Sequence, residues 1–141
     1  MAAYNAHGGY PVPGCDLSLK NYSATDIPAK TAVIMDTTAA NTMGVAAIAT
    51  AATVELTIGI TVDAIPAGKY GRVRVSGAAV VVVNDTILRG NAVQIDSASA
   101  HEGQVKLLAS GKTQLGRALS NAVAGDEVLV WVNVASTVNS A

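Results

Sequence analysis

The sequence predicts an all-β protein, a compact β-barrel or β-sandwich-like domain with an extended N-terminal arm. Three observations carry that expectation. Short runs rich in Val, Ile and Thr recur at roughly 8–12 residue spacing, with turn residues between them. The chain has 141 residues, enough for one domain with a real core. Half of it is hydrophobic but only 4% is aromatic, with no Phe and one Trp. The apolar content is therefore mainly Ala and Val, which suit short strands packed around a narrow interior.

Residues 1–26 read as the arm. They hold Tyr4, Tyr10 and Tyr22, three of the four tyrosines, and the turn-rich Tyr10-Pro-Val-Pro-Gly14. Proline fixes φ and removes a donor, so no regular helix fits there. Tyrosines are large contact groups in a chain otherwise short of them, and Tyr4, Tyr10, Pro11, Pro13 and Tyr22 are the candidate contact residues. Residues 27–135 read as the β-rich domain and 136–141 as a short tail.

Within the domain, Thr31-Ala-Val-Ile-Met35 lies between Pro28 and Asp36-Thr-Thr. Thr53–Asp63 alternates in part and stops at Ile65-Pro-Ala-Gly68. Gly71–Val83 starts with Val73 and Val75 on one face and Arg72 and Arg74 on the other, then turns wholly apolar. Gly77 in mid-run predicts a bulge or bend. Ala92–Asp96, Gln104–Leu108, Thr113–Ser120 and Glu127–Val134 repeat the pattern, with Asp85, Gly90, Gly103, Gly111 and Ala124-Gly-Asp126 between them. Helix competes at the Ala-rich stretch 39–52 and at 118–124. Thr42, Gly44, Thr50 and Thr53 weigh against the first, and both read mainly as strand and loop.

An internal repeat aligns Ile27–Asp36 with Ile87–Asp96, matching Ile27/Ile87, Ala32/Ala92, Val33/Val93 and Asp36/Asp96, with Met35 facing Ile95. Val123–Val130 reads as a looser third copy. The unit is a polar turn that feeds a buried strand.

Charge excludes several roles. Only 13% of residues are charged and the net charge is −1. A pI near 6.0 leaves no basic footprint for nucleic acid. Mean hydropathy is +0.39, too apolar for wholesale disorder. The longest apolar run, Ala78–Val83, is about a third of the ~20 residues a spanning helix needs. No basic start or apolar core of a signal peptide precedes His7, so synthesis in a reducing cytosol is expected. The single Cys15 excludes an intrachain disulfide and a cysteine-cluster zinc site. The expectation is no nucleic acid, no membrane and no cofactor.

Catalysis needs convergent polar groups with tuned acidity. His101-Glu102 lacks the three or four ligands of a metal site. Cys15 with His7 has no third group to orient the imidazole. Asp36, Asp63, Asp85, Asp96 and Asp126 fall at strand ends, where Asp caps turns. Gly111-Lys-Thr113 has Lys106 where a phosphate loop needs its first glycine. Arg72/Arg74 and Lys106/Lys112 read as solvated strand faces. No catalytic, metal or cofactor residue is expected, and a non-enzymatic role is favoured.

Four segments in order resemble a known family. Gly59-Ile-Thr-Val-Asp-Ala-Ile-Pro-Ala-Gly68 is similar to its strand-then-turn segment, and Gly71–Val83 to its central strand with a mid-strand glycine. Ile87–Asp96 is similar to its turn-strand unit, and Leu115–Val130 to its closing G-x-A-L … A-G-D pattern. Over about Asn21–Val134 the chain thus resembles the small phage capsid decoration, or cement, proteins. The resemblance implies a β-barrel-like domain on the outside of an icosahedral head, at joints between capsomers. It also implies a homotrimer whose partners are the major capsid protein and itself. Met1–Lys20 departs from the family pattern. The competing expectation is a small β-domain binding module of a phage fibre or receptor-binding assembly, its pocket lined by Trp131 or Tyr70.

Overall fold

The computed structural model describes residues 14–46, 53–98 and 100–136. They form nine strands: β1 Gly14–Asn21, β2 Ala32–Met35, β3 Gly44–Ala46, β4 Thr57–Thr61, β5 Tyr70–Val82, β6 Ala92–Ile95, β7 Val105–Leu107, β8 Thr113–Ala118 and β9 Glu127–Ser136. The protein is all-β. The one helical turn among the described residues is the 3-10 segment Val54–Leu56. Of the Ala-rich stretch, residues 44–46 are strand and 47–52 lie outside the described residues, as do 137–141 of the tail and 1–13 of the arm.

One sheet holds all nine strands in the order β1-β3-β2-β4-β5-β9-β8-β6-β7, with β1 also paired to β5. The sheet does not close into one barrel. Instead two smaller circuits of pairings share β5. In the first, β1 meets β3 and β5, and β2 and β4 complete the ring. In the second, β9, β8, β6 and β7 follow the far half of β5, and a parallel bridge Val83↔Val105 returns to it.

The two circuits are copies of one unit. Lys20 lies opposite Tyr70 as Val82 lies opposite Glu127. Met35↔Val45 corresponds to Ile95↔Val105. Val33↔Gly59 corresponds to Val93↔Gly116, and Ile60↔Arg74 to Arg117↔Trp131. Bridges Ile27↔Ile65 and Ile87↔Ala122 open the two units alike. The repeat at Ile27/Ile87 is thus a duplication of the whole five-strand unit. Val123–Val130 is a correction to the sequence reading. It copies Pro66–Val73 rather than Ile27–Ile34, because Ala122 bridges Ile87 as Ile65 bridges Ile27.

Residue choice explains the copying. Gly59 and Gly116 sit where an added Cβ would lie 2.1 Å from the Arg74 and Trp131 carbonyl oxygens, so only glycine lets those strands approach. Inside the first unit pack Leu19, Ile27, Val33, Val45, Ile65 and Val73. Their counterparts Val81, Ile87, Val93, Val105, Ala122 and Val130 belong to the larger cluster. The seam falls within β5 at Gly77, whose φ of 107° favours glycine, and the register of β5 against β1 shifts just before it, where Cys15 and Asp16 face Ser76 and Arg74.

Part of the segment read as an arm is a sheet strand. β1 is extended, as expected, but pairs with β5 from Gly14 to Lys20. Leu17 and Leu19 alternate with Asp16 and Ser18, the period-2 signal that the flanking prolines and glycines obscure. Asn21 ends the strand fully buried. Its amide donates to the Thr25 and Ile65 carbonyls and its Oδ1 accepts from Ser23, so its polar atoms are satisfied.

Candidate interaction surface

The first unit has an open end, here called its mouth. Leu17 and Leu19 of β1, Met35 of β2, Met43 and Ile58 surround a cleft of about 330 Å³ with the turn 36–44 as its rim. The alternation of β1 and β2 directs these side chains there. Asp36 holds the rim: Oδ1 accepts from the Thr38 N–H at 2.8 Å and Oδ2 from the Asn41 amide at 2.9 Å. The Asn41 hydrogen bond, then that of Thr38, lowers the Asp36 pKa below its ordinary value.

The second unit closes the same place. Met35 is 48% exposed, whereas its counterpart Ile95 is fully buried. Leu17 is exposed, whereas Ala79, opposite Val130 as Leu17 is opposite Val73, is buried. The cover comes from the first unit. Ala32, Ile34, Val54 and Ile60 pack in one cluster with Ala79, Ile95 and Leu115. Ala32 N–H also donates to the Gly103 carbonyl at 2.8 Å, tying β2 to the second rim.

The rims differ in backbone as well. Met43 takes φ 60° where the second rim has Gly103 at φ 80°; away from the rim, Lys30 takes φ 61° where the second unit has Gly90 at φ 95°. A left-handed non-glycine residue is strained. The first rim accepts that strain and carries a half-exposed thioether.

A cluster of charges lies at the seam. Arg74 is buried and donates to both Asp16 carboxylate oxygens and, at 2.7 Å, to the Ala78 carbonyl. Arg72 pairs with Asp63 at 2.8 Å and approaches Asp16 at 3.9 Å, and Lys30 meets Glu127 at 2.9 Å. This corrects the reading of Arg72/Arg74 as a solvated face at Arg74, which is buried, whereas Arg72 is exposed as expected. Pairing of β1 with β5 sets Asp16 opposite Arg74, and burial follows from that ion pair. It corrects Asp63 too, which pairs with Arg72 instead of capping a turn. The Arg74 hydrogen bond lowers the Asp16 pKa against burial, and Arg72 lowers that of Asp63 in the same way. A cleft of about 300 Å³ opens beside Lys30, Arg72 and Arg74. Because each cation faces a carboxylate, the chemistry here is cohesion, by Asp16–Arg74 and Asp63–Arg72 within the first unit and by Lys30–Glu127 between the units, rather than capture of an anion.

Of the sequence-derived contact residues, Tyr4, Tyr10, Pro11 and Pro13 lie outside the described residues. Tyr22 is half-buried, and its hydroxyl donates to the Thr42 carbonyl at 3.0 Å. Lys20 Nζ stands 4.8 Å from the Tyr22 ring centre and 5.9 Å from that of Tyr70. Tyr22 thus braces the rim beside the mouth. Tyr70 and Trp131 are both exposed, on different strands, and line none of the three clefts. A third cleft, about 230 Å³, lies between Leu88 and Val123, both exposed. His101 Nδ1 is 3.2 Å from Gln104 Oε1 in its loop, and Cys15 is exposed on β1.

Sequence reasoning missed Leu17, Met35 and Met43 as one surface. The available signal was the Met35/Ile95 match, which set an adaptable thioether against a branched core residue.

No protein family matches the chain, and no curated protein matches it. Among solved structures it is similar to the N base of head fiber gp8.5 of bacteriophage phi29. The TM-score is 0.59 at 15% identity, over 84% of this chain and 93% of that one. That likeness is one of fold.

Proposed function

We propose that this chain is a structural protein of a phage virion. It sits on the outside of the head as a decoration, or cement, protein at joints between capsomers. The observation that carries the reading is the shared fold with a head fiber base across most of both chains. The four ordered segments that resemble decoration proteins point the same way. The half-exposed Met35 and Met43 add apolar surface for a partner to cover. In this reading the partners are the major capsid protein and further copies of the chain, as a homotrimer. The work is mechanical: apolar burial repeated at many equivalent joints, where effective concentration multiplies modest single contacts.

A second reading is the base of a head fibre, favoured by the kind of protein whose fold this chain shares. One experiment separates the two. Heads lacking the chain are mixed with purified protein, imaged by reconstruction and heated. A cement protein occupies most joints and raises the temperature at which heads release DNA. A fibre base occupies few sites and leaves that temperature unchanged. Heads that take up no external density refute both.

A further inference from the structure

We propose that the mouth of the first unit receives residues 1–13 of a second copy of this chain, so that copies link arm into mouth. This goes beyond the virion reading and requires only a second copy.

The duplication defines what the mouth lacks. In the second unit the same positions, Ala79, Ile95 and Leu115, are sealed by apolar residues from outside that unit. The first-unit mouth keeps Leu17, Met35 and Met43 exposed. Simple repetition of the internal contact fails on chemistry. The exposed Arg117 stands where Ile60 stands in the covering face, and Gln94, in place of Ile34, is already buried with its amide bonded to Ala109 and Ile95, so a second unit stacked on the mouth would press a guanidinium against apolar side chains. The occupant must be another apolar segment.

Residues 1–13 fit. They contain no Asp, Glu, Lys or Arg, and they carry Tyr4, Tyr10, Pro11, Val12 and Pro13. Prolines restrict the chain before binding and so reduce the entropy lost on docking. Two thioethers in the mouth adapt to aromatic and pyrrolidine rings. Thirteen residues reach about 43 Å when extended, ample to cross to a neighbour.

β1 begins at Gly14, paired with Gly77 at the seam, and isotope labelling in the test below separates a neighbour's mouth from the chain's own.

The test uses the full chain with Cys15→Ser, Tyr10→Cys and Met35→Cys. Equal amounts of isotope-labelled and unlabelled protein are mixed, joined by a short bis-maleimide and digested. Mass spectrometry then reads the linked peptides containing positions 10 and 35. The proposal expects pairs of one labelled and one unlabelled peptide, and their loss when Met43→Asp is added. Met43 is half-exposed, so the charge leaves the thermal melt nearly unchanged, and circular dichroism verifies the fold. Pairs of a single isotope only, which mean that each arm fills its own mouth, overturn the proposal. So does absence of the 10–35 link in folded protein, or mixed pairs that persist with Met43→Asp.

Discussion

Met35 and Ile95 hold the same place in two copies of one five-strand unit, yet one is half-exposed and the other fully buried. The same holds for Leu17 and Ala79. The second unit is a finished core because the outer face of the first, through Ala32, Ile34 and Ile60, closes it. The first unit has no such cover among the described residues. Duplication therefore yields one sealed unit and one with an apolar opening. The lesson concerns where function resides: registers, bridges and close-approach glycines are kept in both copies, and the copies part at the mouth and at the seam charges.

The sharpest way to break the comparison is at the paired glycines. Gly59→Ala and Gly116→Ala each place a Cβ about 2 Å from a backbone oxygen of the adjoining strand. Each is expected to cost about 3 kcal/mol or more, because backbone rather than a flexible side chain must move. Chemical denaturation of both variants checks this. Similar losses follow from equivalence, and a harmless substitution in either unit contradicts it.

A smaller effect is expected at the seam. Asp16→Ala removes the carboxylate that Arg74 meets in a buried position, and a loss of about 3 kcal/mol is expected. Trp131, the counterpart of Arg74, is exposed, so Trp131→Ala should cost less than Asp16→Ala. The sign of the pH dependence follows. The folded-state pKa of Asp16 is lowered, so its contribution is complete above the unfolded value near 3.8 and is lost as pH falls through the folded one. Acid titration of the wild type should show stability falling below about pH 4. Asp16→Ala should flatten that fall.

The smallest effect has the opposite sign. Met43→Gly relieves a left-handed methionine where the other unit has Gly103. A gain of about 0.5–1 kcal/mol is expected, together with weaker association of copies, because the rim loses its thioether. A thermal melt paired with sedimentation velocity reads both.

Much of this fold was legible in the sequence. β2, β6, β7 and β8 fall within the runs bounded by turn residues, β5 starts one residue early at Tyr70, and β9 runs past Val134 to Ser136, since branched side chains between Asp and Gly turns leave few alternatives. β4 occupies the later part of its run, the Val54–Leu56 turn taking the start. β1 was hidden because its alternation follows a proline- and glycine-rich stretch that reads as arm. Three-residue β3 is too short to show a period. The mouth was illegible for a physical reason. Met35 and Ile95 are interchangeable in an apolar pattern, and only the packing of one unit on the other separates them. The Asp16–Arg74 pair was equally hidden, since a strand of alternating Val and Arg looks solvated until β1 is laid beside it.

The claim on which the rest turns is that the first-unit mouth is the contact surface of the assembled protein. Oxidative footprinting of Met35 and Met43, in dilute protein and in the assembled particle or oligomer, tests it directly. Both methionines are expected to oxidise readily in the dilute protein and to become protected on assembly. Equal oxidation in the two states would contradict it.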